Sequence, residues 1–268
     1  MTHSIAAIFR NEAPYLREWI EFHLEVGFDH FYLFDNLSTD SFLTVLQPYI
    51  DRGIVECQSW PLTHSNIYDW NEVQCLAYER ALYKAKGKAK WLAILDTDEF
   101  LFSPSGKSVA ELLKNYESFA GIGVNWQVFG TSSVAKIPAE RLLIESLTQK
   151  LPETQGINHH IKSIVQPERI RGCESPHFAI YKPGHFQVNT AGIPFEGLLS
   201  PTVELDVLRI NHYILRDEHF FHSQKIPRLQ SWWGETISHW EAKYSGLNQV
   251  TDKSIASLIP NLKKRLLY

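Results

Sequence analysis

The sequence predicts an α/β protein with a mostly parallel central sheet and helices on both faces. Two observations lead to this fold class. Short apolar segments alternate with longer amphipathic ones through the first hundred or so residues, and polar stretches follow the apolar segments. Parallel neighbours in a sheet need crossover connections, which carry helices, so the alternation favours a doubly wound arrangement. With 44% apolar residues, the 268-residue chain can bury a sizeable core.

The first unit is a strand, a loop and a helix. Residues 4–9 ("SIAAIF") form the apolar strand and "RNEAP" forms the loop. In "YLREWIEFHLEVG", Leu16, Trp19 and Ile20 repeat at helical spacing. Gly27 stands where a C-terminal cap belongs, so the helix should end there.

The same order of elements repeats before the chain enters "WLAILD". The predicted strands are "HFYLFD" and "GIVECQ", and the predicted helices are "FLTVLQPYI" and a long segment from about Asn66 to Lys86. Asp40, in "STDS", is the expected cap of the first of these helices. Three polar stretches, "RNE", "DNLSTD" and "DTDE", follow strands. They should therefore meet at the carboxyl edge of the sheet, where ligands bind in such folds.

After Phe102 the order of elements changes. "SVAELLKNY" predicts a helix, "GIGVNWQVFG" and "VLRINHYIL" predict strands, and roughly the last fifty residues are mainly helical. No linker or repeat interrupts the chain. The sequence therefore predicts one domain over residues 1–268, with a regular first half (1–105) and a more irregular second half (106–268).

Composition bounds the compartment and the partners. A formal net charge of −4 gives no basic field to hold a nucleic acid. Three widely separated cysteines fit neither a disulfide framework nor a zinc site. No apolar run is long enough for a signal peptide or a transmembrane segment, so we expect a cytoplasmic protein. Lys263, Lys264 and Arg265 lie among leucines near the end of the chain, which predicts a solvated helix or a weak peripheral contact with an anionic membrane.

Three carboxylates end the apolar segment "WLAILDTDEFLF". Asp96, Asp98 and Glu99 lie within four residues, and like charges crowded at the end of a buried strand require a neutralising partner. Oxygen ligands at this spacing suit Mg²⁺ or Mn²⁺, which keep open positions for phosphate oxygens. The alternative is a polar strand end whose acids cap the next turn, and for Glu99 bracing of the neighbouring loop is the favoured role.

A family resemblance gives these motifs a function. The series "FRNEAPYLREWIEFHLEVGFDHFYLFDNLSTD", "QCLAYERAL" and "WLAILDTDEFLF" resembles nucleotide-sugar-dependent glycosyltransferases of the Rossmann-like GT-A fold, in the group related to families 2 and 92. The resemblance is strong over residues 4–102. Beyond them, "NWQVFGTSS", "IKSIVQP", "SPHF" and "INHYILR" are similar to the same group. It implies that residues 1–105 bind the nucleotide sugar and residues 106–268 bind the acceptor.

The resemblance implies a reaction and a set of site residues. A hexose would pass from a nucleotide sugar, with a UDP-sugar as the expected donor, to a glycan or a lipid-linked (glycolipid) acceptor. Mn²⁺ or Mg²⁺ would bridge the two phosphates as a Lewis acid. The implied metal ligands are Asp96, Asp98 and His212. The implied donor-binding residues are Arg10, Asn11, Glu12, Asp35, Asn36, Gln74, Asp96, Lys162 and Lys225.

An inverting enzyme, which families 2 and 92 suggest, also needs a general base for the acceptor hydroxyl. The sequence does not single one out. Glu174 and His177, in "CESPHF", are the candidates because acceptor contacts are expected in the second half and His177 resembles a histidine of the related group.

Two other functions fit parts of the pattern. Haloacid-dehalogenase-type phosphatases also carry Asp-x-Asp after an apolar strand, but there the motif opens the fold, whereas here it follows three strand–helix units. A non-catalytic transferase-like binding module would keep the fold, but it would not need an intact pair of metal-binding acids.

Overall fold

A computed structural model describes residues 1–267, and its first half is a regular alternation of strands and helices. The elements are β1 (Thr2–Phe9), α1 (Ala13–Glu25), β2 (His30–Asp35), α2 (Phe42–Asp51), β3 (Val55–Ser59), α3 (Ile67–Ala85) and β4 (Ala89–Ile94). Strand β2 coincides with the predicted "HFYLFD", and α3 differs from its prediction by one residue at each end. The predicted order of elements is confirmed over this half.

Local signals account for the helix boundaries. The side chain of Asn66 accepts hydrogen bonds from the backbone N–H groups of Tyr68 and Asp69, at 2.8 and 3.0 Å, and so begins α3. Gly27 follows α1 with φ of +106°, a conformation that favours glycine. Asp40 acts differently from the prediction. Its stronger bond, 2.8 Å, comes from the N–H of Ala13 at the start of α1, and only a longer one comes from α2.

The second half is built from shorter elements. They are β5 (Glu99–Phe102), α4 (Val109–Leu112), β6 (Gly121–Val128), α5 (Leu143–Ser146), β7 (Gln149–Lys150), β8 (Ile161–Val165), β9 (Ile170–Ser175), β10 (Phe178–Tyr181), β11 (Gln187–Asn189), β12 (Pro194–Phe195), β13 (Arg209–His212), α6 (Glu218–Phe220), α7 (Ile226–Trp233), α8 (Ile237–Tyr244), β14 (Val250–Thr251) and α9 (Ile259–Leu266). The helix predicted in "SVAELLKNY" is one α-helical turn followed by a 3-10 turn, Leu113–Tyr116.

One ten-stranded sheet includes strands from both halves of the sequence. Its main path runs β12-β11-β6-β8-β4-β1-β2-β3, and β13 pairs with β5 and β6 away from that path. Strands β3, β2, β1 and β4 are parallel, whereas β8 lies antiparallel between β4 and β6. The fold class is therefore confirmed as α/β with a mostly parallel sheet.

Apolar side chains cover both faces of the sheet. Successive residues of β1 point to opposite sides, so Ile5 and Ala7 pack with Trp19 of α1, while Ala6 and Ile8 pack against Ala77 of α3. Strand segments buried on both faces read as continuous apolar runs, which is why "SIAAIF" carries no alternation.

The C-terminal helix α9 packs back onto the first half of the chain. Leu262 is fully buried, Arg265 lies 2.8 Å from Glu21, and Lys263 lies 2.7 Å from Glu145. Two of the three cations proposed to touch a membrane thus have partners within the chain, and the structure gives that contact no support. Within residues 1–267, no helix combines the length and apolarity that crossing a bilayer requires.

Candidate functional site

A cleft of about 1220 Å³ opens at the carboxyl ends of β1 and β4. Ten residues expected at the site line it: Arg10, Asn11, Glu12, Asn36, Gln74, Asp96, Asp98, His177, His212 and Lys225. Three others lie outside this lining: Asp35, Lys162 and Glu174. The parallel sheet thus brings together residues that are up to 215 positions apart in the sequence.

Asp96 is held by an ion pair with Lys162 of β8. The Nζ of Lys162 lies 2.9 Å from one carboxylate oxygen of Asp96, and Tyr78 and Gln74 donate longer bonds, of 3.3 and 3.4 Å, to the other. Burial would raise the pKa of Asp96, but the charge of Lys162 outweighs it and the pKa is lowered. Lys162 is fully buried and its ion-pair partner is Asp96, while its expected contact with a diphosphate stays a prediction.

Asp98, in the turn between β4 and β5, faces His212 at the end of β13. Its Oδ1 lies 3.6 Å from the Nε2 of His212. The backbone aligns the two, because His212 pairs with Glu99 in the ladder of β13 and β5 and the N–H of Tyr213 donates to the Asp98 carbonyl. Burial opposes ionisation of Asp98, but its interaction with His212 and the positive charges of Lys225 and Arg216 hold its pKa well below the usual range. Asp98 is therefore an anion that faces the cleft.

Glu99 is one of the three crowded carboxylates, and its role differs from those of Asp96 and Asp98. Its Oε2 accepts a 2.9 Å bond from the N–H of Asp96, which closes the turn as expected for a bracing residue. The side chain is fully buried, and burial raises its pKa well above the ordinary value. Glu99 thus holds the loop that carries Asp96 and Asp98, and it does not face the cleft.

The loop after β1 forms another wall of the cleft. Asn11 has φ of +57°, and its Oδ1 accepts a 2.8 Å bond from the N–H of Thr39. Glu12 is paired with the buried guanidinium of Arg216. Asn36 is fully buried, donating to the carbonyls of the loop after β3, while Asp35 accepts a 2.9 Å bond from the N–H of Ser38. Much of this polar set therefore shapes the loops around the cleft.

His177 and Glu174, the candidates for the general base, separate in the structure. The Nδ1 of His177 lies 2.9 Å from the Ile161 carbonyl, so Nδ1 carries the proton and Nε2 is the acceptor. Burial and the charge of Lys162 lower the pKa of His177 to about 3, which keeps the ring neutral. Glu174 is exposed on β9, away from the cleft lining.

Comparison with known proteins assigns the family. The model of glycosyltransferase family 92 matches residues 1–266. The chain belongs to glycosyltransferase family 92. A family 92 protein of Ricinus communis is 26% identical over 215 residues, covering 78% of this chain and 34% of that protein. A galactan β-1,4-galactosyltransferase of Arabidopsis thaliana is 26% identical over 120 residues, covering 43% of this chain and 23% of that protein. The chain thus spans about a third or less of the length of these relatives.

Solved structures of nucleotide-sugar enzymes are similar at lower identity. Glucosyl-3-phosphoglycerate synthase from Mycobacterium tuberculosis, in complex with Mn²⁺, UDP and glucosyl-3-phosphoglycerate, is 17% identical with a TM-score of 0.38. The match covers 73% of this chain and 72% of that one. Membership of family 92 accords with the GT-A fold expected for the α/β sheet and gives no support to the phosphatase alternative.

Asp98 and His212 are the residues of this family 92 chain that could hold a divalent cation at the cleft. Asp98 and His212 approach each other at the cleft wall, and the Nδ1 of His212 is buried without a hydrogen-bond partner among the described residues. Within residues 1–267 no group of three His, Cys, Asp or Glu side chains is arranged to hold a metal ion. Mg²⁺ is commonly held by one or two protein groups together with phosphate oxygens, so this donor set fits a cation that arrives with a diphosphate. Asp96, paired with Lys162, is the less available ligand.

Sequence reasoning missed several residues that line the cleft. They are His64, Trp70, Arg216, Arg228 and Trp232. Arg216 is the most buried of them, 1% exposed, and its guanidinium carbon lies 3.8 Å from the ring centroid of Tyr15 and 4.4 Å from that of Phe220. Lys225, Arg228 and Trp232 follow a helical spacing that was visible in the sequence. The partners of Arg216 were not, because Glu12 is 204 residues away.

Proposed function

We propose that this chain is a metal-dependent, inverting glycosyltransferase that moves a hexose from a UDP-sugar to a glycan or lipid-linked acceptor. The observation that carries the proposal is the composition of the cleft. The ionised Asp98 and the imidazole of His212, 3.6 Å apart, share one cleft with the cations Lys225, Arg216 and Arg228. A cation and a diphosphate bound together need both sets of groups.

The charges of the cleft support an anionic donor. Lys225 is partly buried, and burial, followed by the positive charge of Arg228, lowers its pKa to about 8. Placing two cations this close is unfavourable unless an anion binds beside them. The leaving diphosphate of a nucleotide sugar is such an anion, and fixed charges aimed at a developing charge lower the barrier to its departure.

Asp98 and His212 would hold the metal ion, which when bound supplies Lewis-acid stabilisation of the diphosphate. The residues of this chain then have separate tasks. Glu99 and Lys162 fix the loop that carries the acids, through the 2.9 Å bonds to the backbone and to the carboxylate of Asp96. A loop held in this way keeps the ligand oxygens in place before substrate binds.

We place the acceptor beside His177. Its neutral ring, with Nε2 free to accept, can take a hydrogen bond from a sugar hydroxyl. A pKa of about 3 makes the ring a weak base, so the role of His177 is to orient the acceptor, and the sequence-based assignment as proton acceptor remains a prediction. Trp126, whose ring centroid is 5.1 Å from that of His177, supports the imidazole from the side. The hexose assignment is supported by the relative named as a galactosyltransferase.

Calorimetric titration with UDP, with and without Mn²⁺, tests the donor and the metal together. Wild-type protein should bind UDP tightly only with Mn²⁺. Asp98→Asn should lose the increase in UDP affinity that Mn²⁺ gives. Asp206→Asn, which changes an exposed acid outside the cleft lining, is the matched control and should bind as wild type.

Two results would contradict the proposal. Failure of the wild type to bind both UDP and GDP under every metal condition would remove the nucleotide-sugar donor. Binding of UDP with no hydrolysis of any UDP-sugar and no transfer to any acceptor would instead favour the non-catalytic binding module, since many transferases hydrolyse their donor slowly.

A further inference from the structure

Helix α7 and the residue before it present a stripe of three cleft-facing residues. The proposed function gives no role to one of them, Trp232. Lys225 directly precedes the helix, and Arg228 and Trp232 follow at helical spacings of three and seven residues. All three line the cleft. Residues at this spacing lie on one face of a helix, so α7 turns a single face towards the donor site.

The aromatic end of this stripe meets aromatic side chains from the first half of the chain. The rings of Trp232 and Trp70 are nearly parallel, with an interplanar angle of 25° and centroids 6.3 Å apart. His64 lies against both, with centroid distances of 4.8 Å to Trp70 and 5.8 Å to Trp232. These three residues, which we call the aromatic wall, line the cleft and are only partly buried. Flat aromatic surface is thus available within the cleft.

The cationic end of the stripe, Lys225 and Arg228, lines the same cleft as Asp98. The guanidinium of Arg228 lies 5.5 Å from the ring centroid of Trp232. The positive charges of Lys225 and Arg228 both interact with the carboxylate of Asp98. From Arg228 to Trp232 is four residues, or about 6 Å along a helix. That rise is comparable to the length of one ribose, which separates the base from the phosphates in a nucleotide.

We propose that the aromatic wall stacks the nucleobase of the donor and that Arg228 contacts its diphosphate, so α7 binds both ends of the nucleotide. This inference rests on the proposed function and adds to it the residues that recognise the base. A planar ring that stacks on indoles gains affinity through its face, and a neighbouring guanidinium reinforces the contact. An acceptor sugar could also lie on an indole, but the cations of α7 next to Trp232 favour the nucleotide.

Binding of two probes to Trp232→Ala tests the proposal. UDP contains the base, and inorganic pyrophosphate contains only the phosphates, both titrated with Mn²⁺ by calorimetry. Stacking of one base on an aromatic ring corresponds to a change in affinity of roughly 5- to 100-fold, so we expect UDP to weaken by that factor while pyrophosphate binds as in the wild type. Trp232→Phe should recover most of the affinity for UDP, since it restores an aromatic face.

Trp233→Ala is the matched control. Trp233 is the neighbour of Trp232, is 49% exposed and lies outside the cleft lining, so its removal should leave both probes unaffected. Equal affinity of Trp232→Ala and wild type for UDP overturns the assignment of the base. An equal loss for UDP and pyrophosphate also overturns it, because the effect then belongs to the phosphates or to the fold. Wild-type protein that binds neither UDP nor GDP contradicts the proposed function itself, a result distinct from either of these.

Discussion

Replacing Lys162 with methionine should destabilise the protein by about 3 kcal/mol. The Nζ of Lys162 lies 2.9 Å from Asp96, which corresponds to a Coulomb attraction of about 6 kcal/mol at an effective dielectric constant near 20. Removing the lysine also removes the several kcal/mol that burying its charge requires. Asp96 is partly exposed to solvent, so the carboxylate left behind is partly hydrated. The net loss should therefore lie at the lower end of the 3–5 kcal/mol expected when one partner of a buried pair is deleted.

Urea denaturation followed by circular dichroism measures this loss, and Lys84→Met provides the control. Lys84 also forms an ion pair at 2.8 Å, with Glu56, but its side chain is 25% exposed, against 1% for Lys162. Exposed pairs contribute roughly 0–1 kcal/mol, so Lys84→Met should shift the midpoint far less. Equal, small shifts for the two variants would refute the argument that burial makes the Lys162 contact strong.

Three further predictions concern Glu18, Gly27 and Arg216. Burial raises the pKa of Glu18 to about 7, so its contribution to stability is present below pH 4.5 and is lost as pH rises through 7. Glu18→Gln should lack this loss. The measurement is the free energy of unfolding of the variant and of wild type in urea titrations between pH 4 and 8. Gly27→Ala should destabilise more than Gly53→Ala in thermal melts, because both have positive φ but only the first would place a methyl group 2.3 Å from a serine hydroxyl. Arg216→Lys keeps the charge but loses the planar group beside the rings of Tyr15 and Phe220, and chemical denaturation should show a loss of about 1–2 kcal/mol; unchanged stability would mean that these ring contacts contribute nothing.

The first half of the fold could be predicted from the sequence because its signals are local. Strand β2 is a continuous apolar run, and α3 begins at a side chain that caps it and ends where the apolar spacing stops. The alternation of such segments also predicts the parallel sheet edge at which the polar residues gather. For the same reason the sequence placed Asp98 and Asn11 in one cleft.

The second half of the fold and much of the cleft depend on contacts between residues far apart in the chain, which the periodicity of the sequence does not encode. Strand β8 is a five-residue segment, "IKSIV", and nothing local indicates that it enters the sheet antiparallel between β4 and β6. That position brings Lys162 to Asp96, 66 residues away, and leaves Asp98 as the more available of the two aspartates. The prediction for Glu174 rested on proximity in the chain to His177, but Glu174 is exposed on β9, and the turn after that strand leads to His177 at the cleft.

The contact between Glu12 and Arg216 also bears on when the cleft is completed as the chain is made. The two residues are 204 positions apart, and at a synthesis rate of about 5–20 residues per second Arg216 is made roughly 10–40 s after Glu12. The strand–helix units before Asp98 can form during that interval from contacts of short range. Glu12 meanwhile has no counter-ion, and Asp98 has no histidine opposite it. A ribosome-bound chain that stops before residue 212 should therefore contain a folded sheet edge with no capacity to bind a diphosphate.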